Sequence, residues 1–235
     1  MRSGATARGE AHSHYFPWSA TPVRVDPGSP YLKVRFGQST FDAEGTEMPG
    51  PFFSRHISWP GGHSGVTLGR GYDMGQRTQL QVARELMAAG MRRPDAIRLA
   101  AGAGLRGRAA ELFVKNRETT APIIDLSVQQ RLFEEITTPE VIADIKRILS
   151  KPETEQKYGS TSWNDLPTTV KEFLFDLRYR GDYTPKTREI IQPLISSGRF
   201  EDLALVAQDE ERWVREFGVP AERASIRASM FRDRE

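Results

Sequence analysis

Residues 55–75 constrain the fold most, because six of these 21 residues are glycine. Glycine lacks a Cβ and accepts positive φ, so this density marks tight turns or places where a ligand or another chain segment approaches the backbone. Between the glycines, residues 66–73 alternate apolar with small or polar side chains. This pattern predicts a short β-hairpin that lines a cleft.

The segments on either side have different periodicities. Residues 31–42 carry β-branched and aromatic side chains in rough alternation, which predicts a strand or a strand pair. From Thr78 onward, apolar residues recur every three or four positions and predict helices. Ser127 with Gln130 resembles a capping box, and Pro139 predicts the start of a further helix. The sequence therefore predicts an α+β fold, with a small β region, a mainly helical remainder and a cleft between them.

Composition excludes several functional classes. The chain of 235 residues has no cysteine, which excludes disulfides and thiolate metal sites, and its net charge is only +2. No concentrated basic face is visible, so we expect no nucleic-acid binding. The apolar runs are far shorter than the roughly 20 residues that span a bilayer, so we expect no membrane insertion. The N-terminus has no apolar signal-peptide core, which predicts synthesis in the cytoplasm without a signal peptide.

Residues 1–30 are rich in glycine, serine, alanine and proline and are predicted to form a flexible leader or linker. The aromatic residues Tyr15, Phe16 and Trp18 are candidates for attaching it to the folded body. His12 and His14 have no third ligand nearby, so we expect no metal site there.

Two carboxylates flank the predicted hairpin and suggest glycoside hydrolysis, which uses an acid and usually a second carboxylate. Glu44 has small or apolar neighbours, and partial burial would raise its pKa and keep it protonated. Asp73 lies in a polar glycine-rich loop, where hydrogen-bond donors would keep it ionised. Glu47, three positions after Glu44, is a rival for the acid, and the sequence leaves open the carboxylate spacing that separates inversion from retention.

A more specific indication comes from Glu44-Gly45 followed by Gly65-Val66-Thr67-Leu68-Gly69-Arg70-Gly71, which resembles the phage-type muramidases. In the phage enzymes the catalytic aspartate precedes the threonine by six positions, but that position here is Gly61. The pesticin branch instead has the aspartate six positions after the threonine, which is Asp73. The chain therefore resembles that branch, which includes the lysozyme-like domains of interbacterial type VI secretion effectors. The specific similarity covers residues 40–75, and residues 166–231 are similar only in helical pattern.

The resemblance implies a lysozyme-like catalytic domain over residues 31–235, with a β-rich part at 31–75 and a helical lobe at 76–235. It implies a muramidase that cleaves the β-1,4 bond between N-acetylmuramic acid and N-acetylglucosamine without a cofactor or metal. Glu44 would be the general acid, Thr67 would position water, and Asp73 would activate or orient it. We favour an inverting mechanism. The alternatives are a lytic transglycosylase and a non-catalytic module that binds the cell wall.

The same resemblance predicts the partners and the place of action. The partners would be peptidoglycan, an immunity protein and a component of the secretion apparatus, and the protein would act in the periplasm of target bacteria. Five residues are candidates for substrate binding: Trp59, Gly69, Arg70, Gly71 and Tyr72. Core packing or an ion pair is an equal alternative for Trp59, Arg70 and Tyr72. We expect His56 and His63 to be structural or exposed, and Arg223 and Arg227 to lie on a solvated face of the last helix.

Overall fold

The computed structural model describes residues 25–48, 50, 53–117 and 120–232. The predictions for His12, His14, Tyr15, Phe16 and Trp18 lie outside this part of the chain. The described residues form twelve α-helices: α1 Gln38–Ala43, α2 Gln79–Ala88, α3 Arg93–Ala100, α4 Arg108–Arg117, α5 Leu126–Arg131, α6 Thr138–Leu149, α7 Pro152–Tyr158, α8 Thr168–Arg180, α9 Pro185–Ser196, α10 Phe200–Gln208, α11 Glu210–Phe217 and α12 Ala221–Arg232. A two-stranded antiparallel sheet accompanies them, which agrees with the predicted α+β class. In these ranges no helix is long and apolar enough to cross a membrane.

The predicted hairpin is confirmed. Strand β1 (Thr67–Leu68) pairs with β2 (Tyr72–Asp73), so that Thr67 lies opposite Asp73. The connecting residue Gly71 has φ +92°, and a Cβ there would overlap the hydroxyl of Tyr179 on α8. Tyr179 donates that hydroxyl to the carbonyl of Arg70. Glycine at position 71 is therefore required by contact with the protein's own helix.

The predicted strand at residues 31–42 is wrong. The structure has a 3₁₀ turn at Pro30–Leu32 and then α1, which buries Thr40 and Phe41. Phe36 instead packs edge-on against Trp163 and Phe175, at centroid distances of 6.4 and 5.3 Å. Packing against distant helices overrides the β propensity of this segment.

The helix predicted to start at Pro139 is α6, which begins at Thr138 and has the proline in its first turn. A π-helical segment, Leu132–Thr137, joins α5 to α6, so the helical run is continuous over residues 126–149. The missing N–H of Pro139 cannot donate to this preceding segment. The capping box predicted at Ser127 is wrong, because the run begins one residue earlier, after Asp125.

The buried apolar residues form two clusters. The larger one joins α1, α6 and the C-terminal helices α8–α12, and the smaller one joins the hairpin to α2–α5. Phe133 belongs to the first cluster and Leu132 to the second. The π-helical segment therefore connects the two cores, and residues from both sides of residue 75 contribute to each.

Candidate functional site

A cleft of about 770 Å³ lies between the end of α1, the hairpin and the start of α12. Five of the eight predicted site residues line it: Glu44, Trp59, Thr67, Gly69 and Gly71. Asp42, Glu222, Arg180 and Arg223 also contribute to its wall. The cleft therefore combines carboxylates with two guanidinium groups.

Glu44 follows the last residue of α1, and its N–H donates to the carbonyl of Thr40 at 3.1 Å. Its side chain is 26% exposed and lies 2.9 Å from Nη1 of Arg223. Burial raises the pKa of Glu44 above its ordinary value, although the charge of Arg223 acts in the opposite direction. An acid that keeps its proton closer to neutral pH is suited to general acid catalysis.

Close packing against Ser54 explains why a glycine, Gly45, follows Glu44. A Cβ at this position would lie 2.6 Å from Cβ of Ser54. The chain leaving α1 packs closely against the segment that begins at Phe53, where Ser54 donates its N–H to Thr46 at 3.1 Å. The glycine thus allows the turn that exposes Glu44 to the cleft.

Glu47 has a different environment. It accepts hydrogen bonds from Arg55 Nε at 2.8 Å, Arg70 Nη2 at 3.1 Å and Gln129 Nε2 at 2.7 Å. Burial acts to raise the pKa of Glu47, but these donors outweigh it and hold the pKa below its ordinary value. Its contacts are those of a structural carboxylate.

Thr67 and Asp73 are cross-strand neighbours, but only Thr67 lines the cleft. The Asp73 carboxylate accepts from the N–H of Gly75 at 2.6 Å and from that of Gly65 at 3.3 Å. Thr67 donates its hydroxyl to the carbonyl of Gly65 at 3.3 Å. The two side chains are thus held by the same short stretch of backbone.

Arg70 and Tyr72 do not line the cleft, which corrects the expectation of direct sugar contact. Arg70 is buried over the ring of Phe41, 4.1 Å from its centroid, and donates to the Phe41 carbonyl and to Glu47. Tyr72 is 1% exposed within the smaller core and donates its hydroxyl to Glu85. Both side chains are occupied by contacts within the protein.

The remaining aromatic and histidine candidates differ in exposure. Trp59 is half-buried on the cleft wall. His56 is buried and its Nδ1 lies 3.2 Å from the Ile57 carbonyl, whereas His63 is exposed. These positions agree with the structural and exposed roles expected for the two histidines.

Arg223 and Arg227 are buried, so the prediction of a solvated helix face is wrong. Both contact Asp176 of α8, which has no exposed surface: Arg223 Nη2 lies 2.5 Å from Oδ1 and Arg227 Nε lies 2.7 Å from Oδ2. Thr40 of α1 donates its hydroxyl to the same carboxylate at 2.9 Å. Asp176, Arg223 and Arg227 have little access to water, so each charge is stabilised mainly by the opposite charges of its partners.

The contacts continue as an alternating series of charges. Arg227 Nη2 lies 2.5 Å from Asp182, which also pairs with Arg180 at 2.6 Å. The series runs from Glu44 through Arg223, Asp176, Arg227 and Asp182 to Arg180, and both of its ends line the cleft. We call these six residues the charge series. A sequence signal was available, because Asp176 lies three residues after Phe173 on the apolar face of α8.

Within the described ranges, no group of three or more histidine, aspartate or glutamate residues is placed to hold a metal ion. A comparison with curated protein sequences finds no match. The profile of one protein family, described as "Domain of unknown function (DUF8812)", matches residues 37–228 and thus contains α1, the hairpin and the charge series. Because this match covers most of the chain, the protein belongs to the DUF8812 family.

Proposed function

We propose that this protein is a lysozyme-like glycoside hydrolase, a muramidase that cleaves the β-1,4 bond between N-acetylmuramic acid and N-acetylglucosamine in peptidoglycan. The observation that carries the proposal is Glu44, a cleft acid whose pKa is raised by burial and which shares the cleft wall with Thr67. The similarity of Glu44-Gly45 and the hairpin motif to phage-type and pesticin-type muramidases supplies the substrate class.

In the proposed reaction, Glu44 gives its proton to the glycosidic oxygen as the bond to the anomeric carbon breaks. Thr67 orients a water molecule that attacks this carbon from the opposite face, and Asp73 accepts the proton of that water. The reaction is a single displacement with inversion. Once Glu44 has lost its proton, the guanidinium of Arg223 stabilises the carboxylate.

The biological setting is part of the same proposal and is supported by the resemblance to interbacterial effectors. The protein would be an antibacterial toxin that acts on the cell wall in the periplasm of target bacteria. Its producer would need an immunity protein, and a component of a type VI secretion apparatus would carry it.

One observation favours a second candidate, a lytic transglycosylase. Asp73 is absent from the cleft wall, and its carboxylate accepts from two backbone amides. A transglycosylase needs only the acid, because the C6 hydroxyl of the substrate attacks the anomeric carbon and closes a 1,6-anhydro ring. In this reaction Asp73 would only hold the hairpin.

The two reactions leave different sugar ends, so mass spectrometry of sacculi digested with the purified protein tests the proposal. We expect muropeptides with reducing N-acetylmuramic acid. Anhydro ends would instead identify a transglycosylase. Binding to sacculi without release of muropeptides would indicate a non-catalytic wall-binding module.

The role of Asp73 is tested by Asp73→Asn. If Asp73 accepts the proton of the attacking water, this variant should lose roughly 10² or more of the rate of sacculus hydrolysis. The amides of Gly65 and Gly75 use different carboxylate oxygens, and asparagine keeps one of the two, so circular dichroism is used to confirm that the variant folds. A folded variant with the rate of the wild type would remove Asp73 from the reaction.

A further inference from the structure

The charge series ends at the proposed acid, and Asp176 near its centre does not itself line the cleft. Asp176 is completely buried on α8, yet it binds two arginines of α12 and the hydroxyl of Thr40 on α1. Burying an ion pair is costly, and apolar packing of similar volume is often as stable. A purely structural role therefore leaves the choice of charged residues unexplained.

We infer that Asp176 is a positioning residue for Glu44: it holds the Arg223 guanidinium and shares it with Glu44, so that Arg223 cannot pair fully with the acid. This inference rests on the proposed function, because it concerns how the acid is kept able to donate a proton.

The geometry shows how the guanidinium is divided. Two nitrogens of Arg223 face Asp176, with Nη2 at 2.5 Å from Oδ1 and Nε at 3.1 Å from Oδ2. A single nitrogen, Nη1, lies 2.9 Å from Glu44. Asp176 is itself fixed by Arg227 at 2.7 Å and by Thr40 at 2.9 Å. The buried carboxylate of Asp176 therefore orients the guanidinium, and Nη1 is the nitrogen left to contact Glu44.

The charges around Glu44 act in opposite directions. Arg223 on α12 and Arg180 on α8 lower its pKa, whereas burial and the negative charge of Asp176 raise it. Tyr179 on α8 also faces Glu44, and its own pKa is raised by burial and by the charge of Glu44. Asp42 and Glu222 line the same cleft. Asp176 favours the protonated acid twice, by direct repulsion and by holding Arg223.

This inference predicts shifts of opposite sign in two variants. Asp176→Asn removes the repulsion and frees Arg223 to pair with Glu44, so the pKa of Glu44 should fall. Arg223→Gln removes the neighbouring cation, so the pKa should rise. A merely structural role would loosen the site in both variants and move the pKa of Glu44 in the same direction in each.

The test is a ¹³C NMR titration of the Glu44 carboxyl carbon in the wild type and both variants, with the signal assigned from Glu44→Gln. The pH at which sacculus hydrolysis falls to half on its alkaline side is measured in parallel. We expect both quantities to move down in Asp176→Asn and up in Arg223→Gln. Unchanged values, or shifts of the same sign in both variants, would overturn the inference.

The titration does not require activity, so it separates this inference from the proposed function. Sacculi left intact by the wild type would overturn the proposed function, while the NMR shifts would still report on Asp176. If Asp176→Asn does not fold, the double variant Asp176→Asn/Arg227→Gln removes one carboxylate and one guanidinium together. The pKa of Glu44 should also fall in that variant, and an unchanged value would contradict the inference.

Discussion

Two glutamates three positions apart, Glu44 and Glu47, have opposite environments. Burial raises the pKa of Glu44, whereas three hydrogen-bond donors together outweigh burial and lower the pKa of Glu47. The Glu-Gly motif predicted the first as the acid. The partners of Glu47 come from segments up to 82 residues away, so no local pattern reveals them. The motif therefore distinguishes the two glutamates in the sequence, whereas their opposite environments are visible only in the structure.

The raised pKa of Glu44 has a consequence for stability. Between the ordinary value of 4.5 and the raised value, the folded state binds more protons than the unfolded state, so Glu44 makes stability fall as pH rises. Glu44→Gln removes this slope. Relative to the wild type, the variant should gain stability as pH rises through that window, as measured by urea unfolding between pH 4 and 8. A relative loss over the same range would contradict the direction of the shift.

Glu47→Gln should act on stability. It leaves Arg55 and Arg70 buried without their carboxylate, and breaking a buried ion pair typically costs about 3–5 kcal/mol. The matched control is Glu211→Gln, which breaks an exposed pair with Arg215 and should cost less than about 1 kcal/mol. Urea unfolding at pH 7 measures both. A stable Glu47→Gln protein without hydrolytic activity would make Glu47 the acid.

At the scale of elements, the hairpin was predictable because its signals are local. Alternation and glycine predict a turn between two strands, but they do not say what each glycine faces. Gly71 faces Tyr179, which lies more than 100 residues further along the chain. The sequence predicts Gly71 as a substrate-binding residue, and the contact with Tyr179 is a second reason for a glycine at this position.

Gly71→Ala tests that contact. The alanine would have to adopt φ near +92°, and its Cβ would overlap the Tyr179 hydroxyl. We therefore expect the free energy of unfolding to fall by about 2 kcal/mol or more. Gly61→Ala is the matched control, because Gly61 has φ +106° and its added Cβ would meet nothing within 4 Å. The control should lose only the backbone strain of about 1–2 kcal/mol. Equal losses in urea unfolding would show that Tyr179 does not fix this glycine.

Helix ends follow the same division between local and distant causes. Thr184 caps α9 with Thr187 in a reciprocal box and Pro185 follows it, so this start depends on local residues. The strand predicted at residues 31–42 is absent because the apolar side chains of this segment pack on helices far along the chain. Pro139 lies in the first turn of α6, as its position predicted, although a π-helical segment joins this helix to α5.

For the whole molecule, periodicity predicted the α+β class but not which elements share a core. α1 joins the C-terminal helices, while α2–α4 join the hairpin. Arg223 and Arg227 were assigned to a solvated face because a four-residue spacing looks the same on exposed and buried helix faces. Only the packing of α12 against α8 and α1 shows that they meet Asp176 and lead to Glu44.

For the whole molecule, the proposed hydrolysis depends on Glu44 as the acid of this cleft. The most direct test is the rate at which purified wild type, Glu44→Gln and Glu153→Gln release reducing ends from sacculi. Glu153 is an exposed glutamate of α7 and serves as the matched control. We predict that Glu44→Gln folds but loses about 10²–10⁴ of the rate, while Glu153→Gln keeps it. A folded Glu44→Gln protein that hydrolyses sacculi like the wild type would contradict the proposed role of Glu44 as the acid.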